Sequence, residues 1–428
     1  MNWGRGMATR RLFSVVAFVV CVIMVLCPHT VLTEYMGVYA GTVSIVLTRR
    51  SVQKTYMLIN VSDYPGETDY ERIQKALNDS ALAPEGAVVF IPEGTWEACD
   101  LKAFSNTIIL GTNGTVLRRP QNMTLPFITF EDKAHFGVLN MTFEGHNVTG
   151  GAGIQITNGT DFQIAGNLFL DIAQHALHIV GQCQDFSVES NVFLRTNVAP
   201  LLIFGYPGSR EVTGFLVANN TLMMSDNNGK IGVAFASNGT IADNYLYNCT
   251  YGVGTRCVSD LLIKNNRMEN CTDYGIYLGT QPGDIGSDNV DITENYISGS
   301  DVGIARYYGS GLMVNITVRN NMIINNIQSD IYADFQGSFL NNTLTSRDKT
   351  RLLTIPVQFA GNVDINMTLI IPADIQGDGR VNMWDVGTVA RLFGIKLNSA
   401  NWNPKADVIQ DGVIDMKDVG YVARCFSP

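Results

Sequence analysis

Ile164-Ala-Gly-Asn167-Leu-Phe169, Val188-Glu-Ser-Asn191-Val-Phe193 and Val217-Ala-Asn-Asn220-Thr-Leu222 are three copies of one pattern: apolar, two residues, Asn, one residue, apolar. Five more copies follow, centred on Asn244, Asn266, Asn295, Asn321 and Asn342. Successive asparagines lie 24, 29, 24, 22, 29, 26 and 21 positions apart. A period in that range marks a solenoid, whose repeats bury their apolar faces only by stacking on one another. The unequal spacing implies loops of unequal length between coils.

Before each Asn, as in Phe186-Ser-Val188 or Val290-Asp-Ile292, apolar and polar residues alternate, which reads as strand and not as helix. An Asn at a fixed bend tolerates left-handed backbone angles, and its amide can hydrogen-bond to the same position one coil above and below. Here the chain resembles the right-handed parallel β-helix proteins of the pectate lyase-like superfamily. The resemblance implies a mostly β fold, a right-handed parallel β-helix solenoid, and no particular chemistry. Two registers follow from the repeat. Asp171 and Arg195, each four residues after a ladder Asn, are expected side by side on adjacent coils. Cys249 and Cys271, each five after, are likewise stacked; rungs about 4.8 Å apart fall within the roughly 4.4 to 6.8 Å between Cα atoms that a disulfide needs. They read either as a disulfide or as two small residues stacked inside.

Outward from the repeat, Glu67 to Ala81 takes a helical period, with Tyr70, Ile73 and Leu77 on one face. Ala87 to Ile91 is then a buried strand, and Pro92-Glu-Gly94-Thr-Trp96 a tight turn. Helix, strand, Pro, Gly and aromatic are similar to the entry of pectate lyase-like β-helices, where a helical cap plugs the open end. The solenoid is therefore expected over 67–372, with 34–66 as a lead-in. Leu12 to Cys27 is an uncharged apolar run preceded by Arg5, Arg10 and Arg11, so 1–33 reads as a secretory signal peptide or an N-terminal membrane anchor. Asn-x-Ser/Thr sequons recur from Asn60 to Asn366, a density that suits an exported glycoprotein, with some expected to be accidents of an Asn-rich ladder. The net charge of −10 over 428 residues argues against nucleic acid or an anionic membrane surface as the main partner.

From Ala373 the sequence is a tandem duplication. Asp374-Ile-Gln-Gly-Asp378-Gly379-Arg-Val-Asn382-Met-Trp-Asp385 and Asp407-Val-Ile-Gln-Asp411-Gly412-Val-Ile-Asp415-Met-Lys-Asp418 each lead into a helical stretch, 33 residues apart. Oxygen donors at loop positions 1, 5, 9 and 12, with Gly at 6, match what calcium requires. A calcium loop and a single helix, duplicated, is similar to the dockerin modules that plug into cohesin domains, which implies a small α-helical calcium-binding domain over 373–428. Carried over by that motif, the ligands would be Asp374, Gln376, Asp378, the Arg380 carbonyl, Asn382 and Asp385 in the first loop, and Asp407, Asp411, the Val413 carbonyl, Asp415 and Asp418 in the second. Gln376 and Ile409 depart from the short Asn or Asp usual at the third position, so loop two is one side-chain ligand short.

A further strand in each coil reads Ala176-Leu-His178-Ile, Gly252-Val-Gly-Thr255, Gly275-Ile-Tyr277-Leu, Gly303-Ile-Ala-Arg306 and Ile331-Tyr332-Ala-Asp334. Gly and Ala recur outward, leaving a shallow shelf along which His178, Tyr277, Arg306, Tyr307 and Asp334 would line an extended polymer; a smooth solvent face with scattered polar residues is the alternative. The superfamily's strong catalytic signatures are missing: no polygalacturonase-like Asn-Thr-Asp with a following Asp pair, no Asp-Pro-His-Glu, no Arg-x-Pro-x-x-Arg. A lyase would need a base, an acid and a cation beside the uronate carboxylate, and the groups available are His175, His178, Tyr277, Arg306 and Tyr307. The expectation is an exported cell-surface protein that binds or degrades extracellular polysaccharide, as a polysaccharide lyase or glycoside hydrolase if it is an enzyme, and docks through calcium to a cohesin-domain protein. The alternative is a non-catalytic structural or adhesive surface β-helix.

Overall fold

A computed structural model describes residues 37–39, 42–46 and 53–426, apart from 147–150, 197, 225–228, 307–310, 334, 336, 346–348, 353–357, 366–370, 379, 398 and 410. The signal or anchor expected over 1–33 lies outside the described residues. No helix among the described residues is long and apolar enough to cross a membrane. The chain divides into Met1–Leu58 and Ile59–Pro428. In the first unit Gly37–Tyr39 pairs antiparallel with Thr42–Val46, which pairs antiparallel with the strand Gln53–Asn60.

In the second unit the asparagine repeat winds a parallel solenoid of three sheets. Strands before the Asn, such as Thr160–Ala165 and Gln184–Glu189, form a ladder sheet in which Phe162 lies on Phe186 and Ile164 on Val188. After the bend, three-residue strands such as Leu168–Leu170 and Val192–Leu194 form a twelve-stranded sheet. The third strand of each coil, such as Leu177–Val180 on Leu201–Phe204, forms a shelf sheet. Alternation sends every second residue inward, and like falls on like. Phe136, Phe162 and Phe186 stack at 4.8 and 4.6 Å, and Phe143, Phe169 and Phe193 at 5.0 Å per step. Each such pair contributes about 0.5–1.5 kcal/mol beyond the area it buries.

The ladder asparagines pair as the spacing implies, but they do not carry the bend. Asn244 donates from its backbone N–H and its Nδ2 to Asn266 Oδ1 at 3.1 and 2.9 Å, and from Nδ2 to the Val217 carbonyl at 3.0 Å, while its Oδ1 accepts from Asn220. Each amide therefore ties three coils. The left-handed angle belongs to the residue before it: Ser190, Asn219, Asp243, Asn265 and Glu294 have φ between 51° and 58°. The array begins at Met141, whose N–H donates to Asn167 Oδ1, and runs one step past the expected copies to Asn362. That last copy escapes the pattern because its final position is Asp364, half-buried at the end of the stack, where no apolar residue is required.

Arg195 forms a bidentate pair with Asp171 at 2.7 and 2.9 Å, as the register implies. Cys249 and Cys271 are free thiols, both buried. Burial raises both pKa values, that of Cys271 to about 12.

Helix α1, Asp69–Ser80, starts at Thr68, whose side chain accepts from the Glu71 N–H. Ile73, Ala76 and Leu77 are fully buried in the same cluster as Val89 and Leu101, whereas Tyr70 is 39% exposed and off that face. The helix also serves strand edges that would otherwise stand open: Asp69 accepts from the Glu97 N–H, and Gln74 exchanges both bonds with the Lys102 backbone.

Two long strands, Ile231–Ala242 and Tyr251–Lys264, run from the shelf sheet into the ladder sheet without a loop. They turn at Phe235 and Cys257, with φ of 54° and 53°. A bulky residue in that region is strained, and here both are buried together against Ala234 and Phe204. After the solenoid, helices α2, Met383–Arg391, and α3, Met416–Arg424, share a separate core of Val381, Val389, Ala406, Ile414 and Val422.

Candidate functional site

The shelf sheet aligns Gln155, His178, Leu202, Gly232, Gly254 and Tyr277 in one column, one residue per coil. Gly232 and Gly254 keep its middle low: a Cβ at Gly232 would stand 3.0 Å from Leu202 Cδ1, and one at Gly254 3.3 Å from Tyr251 Cδ2. Beside this floor Tyr251, Tyr274 and Tyr277 pack with ring centroids 4.8 to 5.5 Å apart. Lys230 Nζ lies 5.1 Å from the Tyr251 ring centroid, within the range of a cation–π contact. Burial holds the Lys230 pKa below its usual value and raises that of Tyr251.

Further along the same sheet His175 and His178 lie with their rings 4.8 Å apart. His175 Nδ1 is 2.9 Å from the Ala199 carbonyl, so the neutral ring carries its proton there. Burial lowers both histidine pKa values, His178 to about 4, and the Lys230 charge adds to the lowering at His175. His178 is therefore a neutral imidazole at neutral pH.

The residues expected on the shelf do not form one catalytic constellation. His178 and Tyr277 share a column but are four rungs apart, roughly 19 Å at the usual strand spacing. Arg306 is 2% exposed and donates from Nη2 to the Gly311 carbonyl at 2.9 Å, so it is an interior residue and not a shelf residue. Tyr307 and Asp334 lie outside the described residues. Conversely, Lys230, Tyr251 and Tyr274 were not singled out in the sequence, although the dipeptides Tyr251-Gly252 and Tyr274-Gly275 fall in register and repeat within the coil. Lys230 precedes its strand, where loop length varies and no period points to it. A separate concavity of about 380 Å³ is lined by Arg210, Ile285, Asp288 and Leu312; the Arg210 guanidinium there is engaged by Asp288 at 2.6 Å and the Gly286 carbonyl at 3.0 Å.

The duplicated acidic loops repeat each other's bonds. Asp374 Oδ1 accepts from the Gly377 and Asp378 N–H groups, and Asp385 accepts from Gln376 with Oδ1 and from Asn382 with Oδ2. In the second loop Asp407 accepts from Gly412, and Asp418 from Ile409 and Asp415. The last bond in each set, from Asn382 to Asp385 and from Asp415 to Asp418, belongs to a capping box at α2 and α3. Asp374, Asp385, Asp407 and Asp418 are all buried. Asp407 Oδ1 has no hydrogen-bond partner among the described residues, and burial with the nearby Asp418 and Asp411 charges raises the carboxyl pKa to about 6. A buried, unpartnered carboxylate oxygen among other carboxylates is what a hard cation satisfies. Among the described residues no three His, Cys, Asp or Glu side chains gather as a cation cage, but loops of this kind also use carbonyls and amides. Two of the expected ligand side chains have other partners: Gln376 Nε2 donates to Thr388 Oγ1 at 3.4 Å, and Asp411 Oδ2 accepts from Lys417 Nζ at 2.8 Å.

Comparison with known proteins places the solenoid. A family model described as "Rhamnogalacturonase A/epimerase, pectate lyase-like" matches residues 59–277, and one described as "Right handed beta helix region" matches 211–345. No curated protein matches. Among solved structures, PfbA, a surface adhesin of Streptococcus pneumoniae, superposes with a TM-score of 0.55 at 17% identity, covering 67% of this chain and 85% of that one. The tailspike protein of E. coli bacteriophage HK620, a double mutant in complex with a pentasaccharide, superposes with a TM-score of 0.54 at 13% identity, covering 76% and 71%. At these identities the likeness is one of fold.

Proposed function

Because the chain belongs to the rhamnogalacturonase A/epimerase, pectate lyase-like family, matched over 59–277, we propose that its shelf sheet binds an acidic extracellular polysaccharide. The observation that carries this reading is the patch of Lys230 with Tyr251, Tyr274 and Tyr277 beside a glycine floor. Aromatic faces stack on the apolar faces of sugar rings, small residues let a polymer lie close, and a half-buried ammonium attracts a carboxylate more strongly than an exposed one. Similar folds serve a surface adhesin and a tailspike crystallised with a pentasaccharide, which supports an extracellular, surface role. Residues 373–428 are proposed to bind calcium and to dock a cohesin-domain protein. The buried Asp407 oxygen supports the first part, and Met383, Trp384, Phe393, Met416 and Phe426, all exposed on or beside the two helices, support the second.

Binding is favoured over cleavage because the groups expected to act together are separated along the stack. The test is a panel of neutral and uronate-bearing polymers, read by affinity electrophoresis and by the appearance of reducing and ultraviolet-absorbing unsaturated ends. Retardation by uronate polymers without products is the expected result. Retardation by neutral polymers alone, or by none, would overturn the reading, and unsaturated ends would make the face a lyase site.

A further inference from the structure

We propose that the left-handed corners of this solenoid are N-glycosylation sites, and that the asparagines of its ladder are not. The observation is a division among the asparagines. Ten are buried: Asn167, Asn191, Asn220, Asn244, Asn266, Asn295, Asn321, Asn326, Asn342 and Asn362. None has Ser or Thr two residues on. Fourteen others, among the described residues, have positive φ at corners of the coils, and nine of these are followed two residues later by Thr: Asn122, Asn140, Asn158, Asn219, Asn238, Asn248, Asn270, Asn315 and Asn341. All nine are exposed or half-exposed. No ladder Asn itself carries a sequon.

Strand chemistry alone does not account for the threonines. Aspartate takes the same left-handed corners and tolerates them for the same reason, yet it cannot accept a glycan. Of the seven aspartates with positive φ, one, Asp185, has Ser or Thr two residues on. The contrast holds between neighbouring coils in one column. Thr240, after Asn238, pairs with Leu262, after Asp260; Thr221, after Asn219, pairs with Tyr245, after Asp243. In these two pairs the strand position holds Leu or Tyr after an Asp corner and Thr after an Asn corner, while in the same columns the Asn265 and Asn289 corners lead to Arg267 and Asp291 and carry no sequon.

The amides are available. Among the described residues Asn122, Asn140, Asn219, Asn238, Asn248, Asn270 and Asn341 donate no hydrogen bond from Nδ2, whereas Asn158 and Asn315 donate to Asp132 and Asn289. The reaction requires a polyprenyl-phosphate-linked oligosaccharide as donor and an oligosaccharyl transferase. The Asn Nδ2 attacks the anomeric carbon, a C–N bond forms, the C–O bond to phosphate breaks with its electron pair leaving on the phosphate oxygen, and the amide gives up one proton.

The test expresses the full chain in an exporting host with an oligosaccharyl transferase, beside a reporter of known sequon. Proteolytic peptides are deglycosylated with peptide N-glycosidase in ¹⁸O-water, which marks each formerly modified Asn as labelled Asp. Label at the seven free corners, and none at Asn167 or Asn244, is the expected result. Asn219→Asp should lose one glycan mass with no change in Tm. Thr221→Val should lose the same mass with Asn219 intact, and it keeps the test decisive if the first variant folds poorly. A modified reporter beside corner peptides that carry unlabelled Asn would overturn the proposal, as would label on the ladder.

Discussion

Asn244 shows what a single side chain contributes to this fold. Replacing it with Leu strips an acceptor from the Asn220 N–H and Nδ2 and donors from the Val217 and Ala242 carbonyls. Each buried group left unmade costs about 1–3 kcal/mol, so Asn244→Leu should lower stability by about 3 kcal/mol or more, read by denaturant unfolding. Asn401→Leu, at an exposed position, is the control, and an equal shift in both would show that the ladder is not a stabilising array. His178 gives a pH signature. Its folded pKa of about 4 lies below the ordinary 6.5. Between those values the unfolded chain binds a proton that the folded face does not, so stability rises with pH through that window and is lost as pH falls through it. The Tm of His178→Gln should vary less between pH 4 and 6.5 than that of the wild type; parallel curves would show that the imidazole is not desolvated. The Asp171–Arg195 pair is half exposed on its Arg side and contributes at most about 1 kcal/mol.

At the scale of elements, the ladder was legible because its amide must recur at one position in every coil, and nothing but Asn supplies a donor and an acceptor of that length. The bend beside it was not legible as a pattern. Asn, Asp, Ser, Glu and Gly all take the left-handed place, since that position asks only for a tolerated backbone angle. The same holds for the patch: Lys230 lies in a loop whose length no repeat constrains, while Arg306, just past the strand Val302–Ala305, is buried and donates to the Gly311 carbonyl. In the duplicated module the two loops are alike in their backbone bonds and differ in Lys417, which neutralises Asp411 where the first loop has Trp384. If calcium binds there, Lys417→Met should tighten the weaker of two calcium sites severalfold, measured by calcium titration of the full chain. Unchanged titration would show that the ammonium does not compete with the cation. Asp374→Ala should abolish calcium-dependent partner capture more completely than Asp407→Ala, because loop one has the fuller set of side-chain oxygens.

Over the whole molecule, stacked coils convert a weak local preference into a long face. One residue per rung on the shelf sheet is enough to set glycines as a floor and to bring tyrosines of adjacent coils, Tyr251 with Tyr274 and Tyr277, into contact, with Lys230 over the Tyr251 ring. Corners and face are thus separable: the bends carry Asn and Asp, the shelf carries the aromatic and basic groups. The most direct test of the binding face is the Kd of a uronate oligosaccharide for the wild type, Tyr277→Ala and Lys230→Ala, with circular dichroism confirming an unchanged fold. Loss of a stacking ring or of the paired charge should weaken binding about tenfold or more, corresponding to about 1.4 kcal/mol, with the Lys230 effect shrinking as salt rises. Equal Kd values for all three proteins would contradict the assignment of this face.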